Sequence, residues 1–150
     1  INEYKKVYFD YINYSTPYPN VNYTLNNLFN LGIKINLLTT KSQEQAELIL
    51  NHFNISKFFS FVLGRRPEYK IKPEPDGLFI ISKELDINVN NILMVGDTHL
   101  DLLCGKNAGS LTCAVTYGYG NADYLKSFNP NYLIDELYLL NDIVANKNLL

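Results

Sequence analysis

The sequence lacks the features that would direct it to a membrane or to a nucleic acid. None of its apolar runs approaches the roughly 20 residues that a helix needs to cross a bilayer, and the N-terminal stretch INEYKKVYFDY lacks the apolar core of a signal peptide. The 13 Lys and Arg residues are outnumbered by 15 Asp and Glu residues and form no basic stripe. We therefore expect a soluble, cytoplasmic protein that has neither a membrane nor a nucleic acid among its partners.

Cysteine and methionine are equally scarce. Cys104 and Cys113 form no Cys-x-x-Cys pattern and lie in a predicted helix and a predicted strand, so we expect reduced thiols in the core, which suits a cytoplasm. Met94 is the only methionine, and the chain begins at Ile1. Because Ile1 is not a natural translation start, we expect that an N-terminal part has been removed or that the sequence is a piece of a longer protein.

What the sequence does contain is a regular alternation of helical and extended patterns. Its 150 residues, 47% of them apolar, are enough for one domain with a sizeable core. Apolar periodicity predicts strands over residues 33–38, 58–63, 92–95, 111–115 and 132–134. It predicts helices over residues 21–31, 42–52, 75–85 and 100–108, and another at the C-terminus. This alternation is typical of an α/β fold of the Rossmann-like, doubly wound class, in which helices cover both faces of a parallel sheet.

Polar side chains follow the predicted strands at the edge where such sheets bind ligands. Thr39 and Thr40 follow the first strand, and Asp97 follows the third, with Asp101 four residues later. Lys72 lies in the loop KIKPEPDG, which precedes a helix. Hydroxyl groups, an ammonium group and two carboxylates at one edge would suit a phosphate that is held together with a divalent metal ion.

Each of these residues also has a purely structural interpretation. Asp97 could cap the helix that follows it, and Asp101 could lie in the first turn because acids are favoured there. Thr39 and Thr40 could satisfy local backbone groups, which is the commoner fate of strand-end hydroxyls. Lys72 could be a solvated loop lysine. The residues must therefore be judged as a set.

As a set, the stretches LLTTK, KPEPDGL, MVGDTHLDLLCGKNAG and AVTYGYG resemble the haloacid dehalogenase-type phosphohydrolases. The chain is most similar to the phosphoglycolate phosphatase-like branch, whose helical cap is inserted after the first strand. The resemblance covers about Pro17 to Leu140, and PYPNV resembles the return from cap to core. It implies that residues 1–16 are the hinge and the last cap helix, for which the apolar spacing over Tyr4–Tyr14 is suitable, and that residues 17–150 form the core.

The resemblance also implies a function and a role for each site residue. The family members are Mg²⁺-dependent phosphatases, here of a small phosphorylated metabolite. Thr39 resembles the hydroxyl that bonds the phosphoryl oxygens, with Thr40 beside it, and Lys72 resembles the cation that offsets the charge of nucleophile and phosphate. Asp97 and Asp101 resemble the two acids of which one binds Mg²⁺ directly and the other positions its waters.

The chain departs from the family at the nucleophile. The family's Asp-x-Asp-Gly-Thr motif is absent; its best lookalike is VYFDYINYS, in which Asp10 would be the nucleophile but Ile12 replaces the second acid. The helical pattern of this segment favours the cap helix instead. We therefore expect the core to lack its central first strand, between the strands that end at Leu38 and Val95, and this chain to have little activity. The alternative is a non-catalytic domain that binds a metal ion and an anion; the oligomeric state is not indicated.

Overall fold

The computed structural model of the chain describes residues 11–146. The strands in this part are β1 (Ile35–Ser42), β2 (Phe59–Arg65), β3 (Leu93–Gly96), β4 (Leu111–Val115) and β5 (Tyr132–Ile134). The α-helices are α1 (Val21–Asn30), α2 (Gln43–His52), α3 (Asp76–Glu84), α4 (His99–Ala108), α5 (Ala122–Ser127) and α6 (Leu140–Asn146). Short 3₁₀ turns precede β2, β3 and α6.

The alternation of strands and helices confirms the predicted α/β class. The bounds differ most at β1, which continues through the Thr39–Lys41 segment to Ser42. Sequence patterns did not predict α5, a helix of only six residues whose first amides donate to the Asn121 side chain. Of the predicted N-terminal helix, Tyr11 and Ile12 are helical, whereas Asp10 lies outside the described residues.

The strands form two parallel sheets that contribute to the same apolar clusters. β1 pairs with β2, and β4 lies between β3 and β5. Ile35 of β1 and Val95 of β3 pack on the same apolar cluster beneath α1 and α6, while Leu38 and Met94 pack with Leu78 of α3 in another. Because successive side chains of a strand point to opposite faces, these two clusters cover opposite faces of both sheets. Within residues 11–146, no ladder joins β1 to β3.

The connection from β1 to α2 brings the carboxyl ends of β1 and β2 together. Ser42 and Gln45 form the predicted capping box, with hydrogen bonds of 3.3 and 3.1 Å. The Gln43 carboxamide accepts a hydrogen bond from the Gly64 N–H at 2.8 Å and donates to the Val62 carbonyl at 3.1 Å. A Cβ atom at Gly64 would lie 2.4 Å from the Gln43 backbone, so glycine is required there for close approach.

No described helix is long and apolar enough to cross a membrane.

Candidate functional site

Thr39 and Thr40 lie near the carboxyl end of β1, as predicted. The Thr39 hydroxyl accepts a hydrogen bond from the Lys41 N–H at 3.2 Å, so Thr39 satisfies a local backbone group, as its structural interpretation expects. Accepting this bond does not use the hydroxyl hydrogen, which remains able to donate to an anion. Thr40 is exposed.

Lys72 is a partly buried cation held at the end of β1. Its Nζ donates to the Leu38 carbonyl at 3.3 Å and to Asp101 Oδ1 at 2.5 Å, and its side chain is 14% exposed. The interpretation of Lys72 as a solvated loop lysine is therefore wrong. Because the Leu38 carbonyl belongs to β1, this bond holds the ammonium group against the strand that carries Thr39, although Lys72 and Thr39 are 33 positions apart in the sequence.

A depression of about 200 Å³, part of it open to solvent, lies over this edge. Its lining residues are Leu38, Thr39, Thr40, Tyr69, Lys70, Ile71, Lys72, Glu74 and Gly77. The Tyr69 hydroxyl donates to the Gly64 carbonyl at 2.5 Å, and burial, reinforced by Glu68 and opposed by Arg66, raises the pKa of Tyr69. Tyr69 therefore stays protonated at neutral pH, and a hydrogen bond to the Leu38 carbonyl holds the positive charge of Lys72 against β1.

Asp101 is buried at the start of α4 and uses both carboxylate oxygens. Oδ1 accepts from Lys72, while Oδ2 accepts from the Thr98 N–H at 3.0 Å and from its hydroxyl at 2.7 Å. A Cβ atom at Gly96 would lie 2.2 Å from the Asp101 Cβ, so only glycine lets β3 approach this side chain so closely. Asp101 thus fixes the first turn of α4 and the position of the Lys72 ammonium group.

Asp97 lies between β3 and α4 and has a different environment. The N-cap of α4 is Thr98, so the interpretation of Asp97 as the helix cap is wrong. Asp97 Oδ2 accepts a hydrogen bond from the Tyr119 backbone N–H at 2.9 Å. Its Oδ1 accepts no hydrogen bond from the described part of the chain. Asp97 therefore has one carboxylate oxygen that accepts no hydrogen bond from the described residues, whereas both oxygens of Asp101 accept hydrogen bonds.

The donor set at this edge suits a hard divalent cation. Across residues 11–146, no three His, Cys, Asp or Glu side chains lie close enough to enclose a metal ion. Mg²⁺ does not require such a cage, because it keeps several waters and is commonly held by one or two carboxylates together with substrate phosphates. Asp97 Oδ1 fits that requirement directly. Both Asp101 oxygens already accept hydrogen bonds, so Asp101 is better suited to orienting neighbouring groups than to direct metal ligation.

Sequence reasoning missed the groups that support the two acids. Thr98, Gly96 and the Tyr119 amide contact Asp101 or Asp97, yet they entered the sequence analysis only as parts of the resembling stretches MVGDTHLDLLCGKNAG and AVTYGYG, without a role of their own. The available signal was the pair of glycines in YGYG directly after a strand end. A backbone donor has no side-chain signature, so its partner could not be read from the sequence.

Comparison with known proteins assigns the family. Residues 1–115 match the model of the haloacid dehalogenase-like hydrolases. The chain belongs to this family. The resemblance drawn from the strand-end Thr, the Lys-Pro dipeptide and the Gly-Asp-x-x-x-Asp pattern is thereby confirmed.

Two relatives illustrate the similarity. The chain is 33% identical over 135 residues to the pyrophosphatase PpaX of Oceanobacillus iheyensis, covering 90% of this chain and 63% of that protein. It is 34% identical over 128 residues to the phosphoglycolate phosphatase of Vibrio parahaemolyticus, covering 85% of this chain and 56% of that protein. The chain thus spans between half and two thirds of the length of these relatives.

Solved structures confirm the Rossmann-like fold class. A predicted phosphoglycolate phosphatase from Haemophilus somnus 129pt has a TM-score of 0.80 and 29% identity, over 85% of this chain and 56% of that chain. A predicted phosphatase from Clostridium acetobutylicum has a TM-score of 0.79 over 86% of this chain and 60% of that chain. At 23% identity, the second similarity bears on the fold alone.

Proposed function

We propose that the chain forms the core of a Mg²⁺-dependent phosphatase that hydrolyses small phosphorylated metabolites. The observation that carries the proposal is the placement of Lys72, whose ammonium group is held between the Leu38 carbonyl and Asp101 in the lining of a depression to which Thr39 also contributes. A cation that is fixed next to a hydroxyl donor at a strand edge provides an anion site without reorganisation. Family membership makes a phosphoryl group the expected anion.

Each side chain has a defined task in this proposal. Thr39 donates its hydroxyl hydrogen to a phosphoryl oxygen, and Thr40 lines the same depression. Lys72 offsets the negative charge that accumulates between the phosphate and an attacking carboxylate. In phosphoryl transfer most of the catalysis comes from such positioning and charge compensation, so these three residues would serve binding and catalysis together.

The two acids would serve the metal ion in unequal ways. When bound, Mg²⁺ would neutralise phosphoryl charge and orient the phosphate for in-line attack. Asp97 Oδ1 would be a direct ligand, because Oδ2 is engaged by the Tyr119 amide. Asp101 would act from behind, since its oxygens hold Lys72 and Thr98. An oxygen that accepts one hydrogen bond keeps a second lone pair, so Oδ1 would also be able to accept a hydrogen bond from a metal-bound water.

The attacking carboxylate is the component that the described residues do not supply. We propose that a strand bearing an Asp-x-Asp-Gly-Thr motif belongs between β1 and β3. Support comes from the described residues, in which each of these strands forms a ladder on one side only while both share apolar clusters on two faces. In this division residues 1–16 are the end of a helical cap with its hinge, and residues 17–150 are the core without its first strand.

The substrate class follows from the chemistry of the depression. Its lining carries a cation and hydroxyl groups, which suits a phosphoryl group. The named relatives include both phosphoglycolate phosphatase and a pyrophosphatase, whose substrates share a terminal phosphoryl group. We propose that a compact anion of this kind is the substrate. Phosphoglycolate and inorganic pyrophosphate are the two compounds to compare.

The test measures turnover of p-nitrophenyl phosphate, phosphoglycolate and pyrophosphate with Mg²⁺. We expect activity in protein expressed from the whole gene and negligible activity in the 150-residue chain. Lys72→Ala and Asp97→Asn in the active protein should each lower kcat by orders of magnitude, because each removes charge compensation at the phosphoryl group. Near-normal turnover in either variant would contradict the assigned role.

Asp10 provides a further control. If the 150-residue chain hydrolyses phosphate esters and Asp10→Asn abolishes that activity, Asp10 is the nucleophile and the proposed first strand is wrong. General acid catalysis is worth about 10²- to 10⁴-fold, and Ile12 stands where that acid belongs. Any activity that depends on Asp10 should therefore be slow.

A non-catalytic domain that binds a metal ion and an anion is the second candidate. The absence of Asp-x-Asp-Gly-Thr from the 150 residues favours it. In that case the whole-gene protein would bind orthophosphate in a Lys72-dependent manner but would turn over none of the three substrates. Binding without turnover would thus replace the phosphatase proposal.

A further inference from the structure

The segment Thr116–Gly120, which follows β4 with the sequence TYGYG, contacts Asp97 through its backbone. The Tyr119 N–H donates to Asp97 Oδ2 at 2.9 Å. Tyr119 is 94% exposed, so it contacts Asp97 through its main chain and not through its ring. A hydrogen bond from a fixed amide to one carboxylate oxygen restricts rotation of the whole carboxylate.

Both glycines of this segment leave room for Asp97. A Cβ atom at Gly118 would lie 2.2 Å from Asp97 Oδ2, and one at Gly120 would lie 2.2 Å from the Asp97 carbonyl oxygen. Neither glycine has a φ in the left-handed region. The requirement for glycine is therefore one of space and not of backbone conformation.

The segment is anchored at both ends. The Thr116 N–H donates to the Ile134 carbonyl of β5 at 3.0 Å, and the Asn121 side chain caps α5 immediately after Gly120. Tyr117 is half-buried and packs against Tyr18 with a ring-centroid separation of 4.9 Å. Burial, with smaller contributions from Cys113, Asp97 and Tyr18, raises the pKa of Tyr117 to about 12. The amide that reaches Asp97 is thus carried by a backbone fixed on either side.

We infer that the Thr116–Gly120 segment positions Asp97, with the Tyr119 amide holding Oδ2 and the bare Cα of Gly118 allowing the carboxylate to present Oδ1 to a cation. The inference rests on the proposed function, because it assumes a cation at Asp97. Gly118 and Tyr119 are positioning residues and touch neither metal nor substrate. Removing hydrogen-bonded support from a metal-ligating side chain typically lowers metal affinity about 10- to 100-fold.

The contact itself is tested by amide hydrogen exchange, measured by NMR on the 150-residue chain. The Tyr119 amide should be protected despite its exposed side chain, and it should exchange at least about tenfold faster in Asp97→Ala. The Tyr124 amide, which donates to the Asn121 side chain, is the internal reference and should not change. Equal Tyr119 exchange in the two proteins would overturn the inference.

The effect on the cation is tested with Mn²⁺, followed by water proton relaxation, which detects weak binding. Gly118→Ala should lower the affinity about tenfold or more, because the added methyl group displaces Oδ2. Gly109→Ala is the matched control. Gly109 ends α4 with φ +78, and the atom nearest to an added Cβ would be 3.8 Å away. The Gly109→Ala variant should therefore lose stability through its backbone conformation but keep its Mn²⁺ affinity.

Asp97→Asn separates the two levels of the proposal. Loss of Mn²⁺ affinity in Asp97→Asn together with wild-type affinity in Gly118→Ala would overturn the positioning inference and leave the metal site intact. Wild-type affinity in Asp97→Asn, or no Mn²⁺ binding by the unmodified chain, would overturn the proposed metal site and, with it, the inferred orientation of Oδ1. In that case Tyr119 exchange still shows whether the hydrogen bond exists.

Discussion

Lys72 and Asp101 form an ion pair of 2.5 Å although they are 29 residues apart in the sequence. Their side chains are only 14% and 6% exposed, so both charges are largely removed from water. Such burial is costly unless the remaining hydrogen-bonding capacity is used. The Leu38 carbonyl and Thr98 satisfy it here. The pair therefore connects the loop before α3 with the first turn of α4, at the edge where the proposed phosphate site lies.

Removing one member of this pair should destabilise the fold. Lys72→Met and Asp101→Asn should each lower the free energy of unfolding by up to about 3–5 kcal/mol, because each leaves a buried partner without its counterion. The double variant should lose less than the sum of the two. Guanidinium unfolding of all four proteins gives the coupling energy. Additive losses would show that the two side chains do not interact in solution.

The fold could largely be predicted from the sequence because its elements have strong local signals. Ser42 and Gln45 mark the start of α2, and Gly109 adopts the left-handed conformation that ends α4. The short α5 was missed, since six residues provide little helical periodicity. β1 was predicted too short because TTKS is polar, and its pairing with β2 is not encoded in its own residues.

Sequence patterns could propose the candidate site residues but could not predict the contacts that these residues make. Strand ends located Thr39 and Asp97, since parallel strands place their carboxyl ends on one edge. The sequence offered no means of distinguishing Asp97 from Asp101. The burial of Asp101 and its bond to Lys72 are tertiary contacts between distant residues, and the partner of Asp97 is a backbone amide of Tyr119. Neither arrangement leaves a local pattern.

Gln43 should be essential to the β1–β2 pair for a reason unrelated to the site. Its carboxamide bonds the Gly64 N–H and the Val62 carbonyl, two partly buried backbone groups. Gln43→Ala should cost about 1–3 kcal/mol of unfolding free energy, because both groups lose their partner. Gln43→Glu keeps an acceptor for Gly64 but faces the Val62 carbonyl with a second acceptor. Urea unfolding should show that Gln43→Glu has a free energy of unfolding no higher than that of the unchanged chain.

The two thiols should make stability depend on pH under alkaline conditions. Burial raises the pKa of Cys113 from its ordinary value of 9.0 to about 12, and burial is also the main cause that raises the pKa of Cys104, to about 11. Above pH 9 the unfolded chain ionises these thiols and the folded chain does not. The contribution of the protonated thiols to the free energy of unfolding is therefore fully present below pH 9. It is lost as pH rises toward the folded-state pKa of each thiol, by up to about 1.4 kcal/mol per pH unit for each thiol.

Cys113→Ala isolates this contribution. The variant should be less stable than the parent at pH 7, since a buried side chain is shortened, but its stability should fall less steeply between pH 9 and 11. Urea unfolding at half-unit pH intervals measures both slopes, and the Tyr and Lys residues common to both proteins cancel in the comparison apart from Tyr117, whose pKa Cys113 helps to raise. Parallel slopes would mean that the Cys113 thiol ionises equally easily in the folded and unfolded chains.

Thr39 and Thr40 offer the sharpest test of where an anion binds. Both line the depression, but Thr39 is closer in sequence to Leu38, whose carbonyl holds the Lys72 ammonium group. Thr39→Val is nearly isosteric and removes both the donor to the anion and the acceptor for the Lys41 N–H, so it should cost about 1 kcal/mol of stability. It should also weaken orthophosphate binding about 10- to 150-fold, since a hydrogen bond to a charged group contributes roughly 1.5–3 kcal/mol. Thr40→Val, whose residue is exposed, should change affinity less.

Phosphate titration followed by NMR at constant ionic strength measures both variants against Lys72→Met, which should abolish binding. Equal weakening in the two threonine variants would place the anion along the strand edge and not at Thr39, and an undiminished affinity in Thr39→Val would remove that hydroxyl from the site altogether.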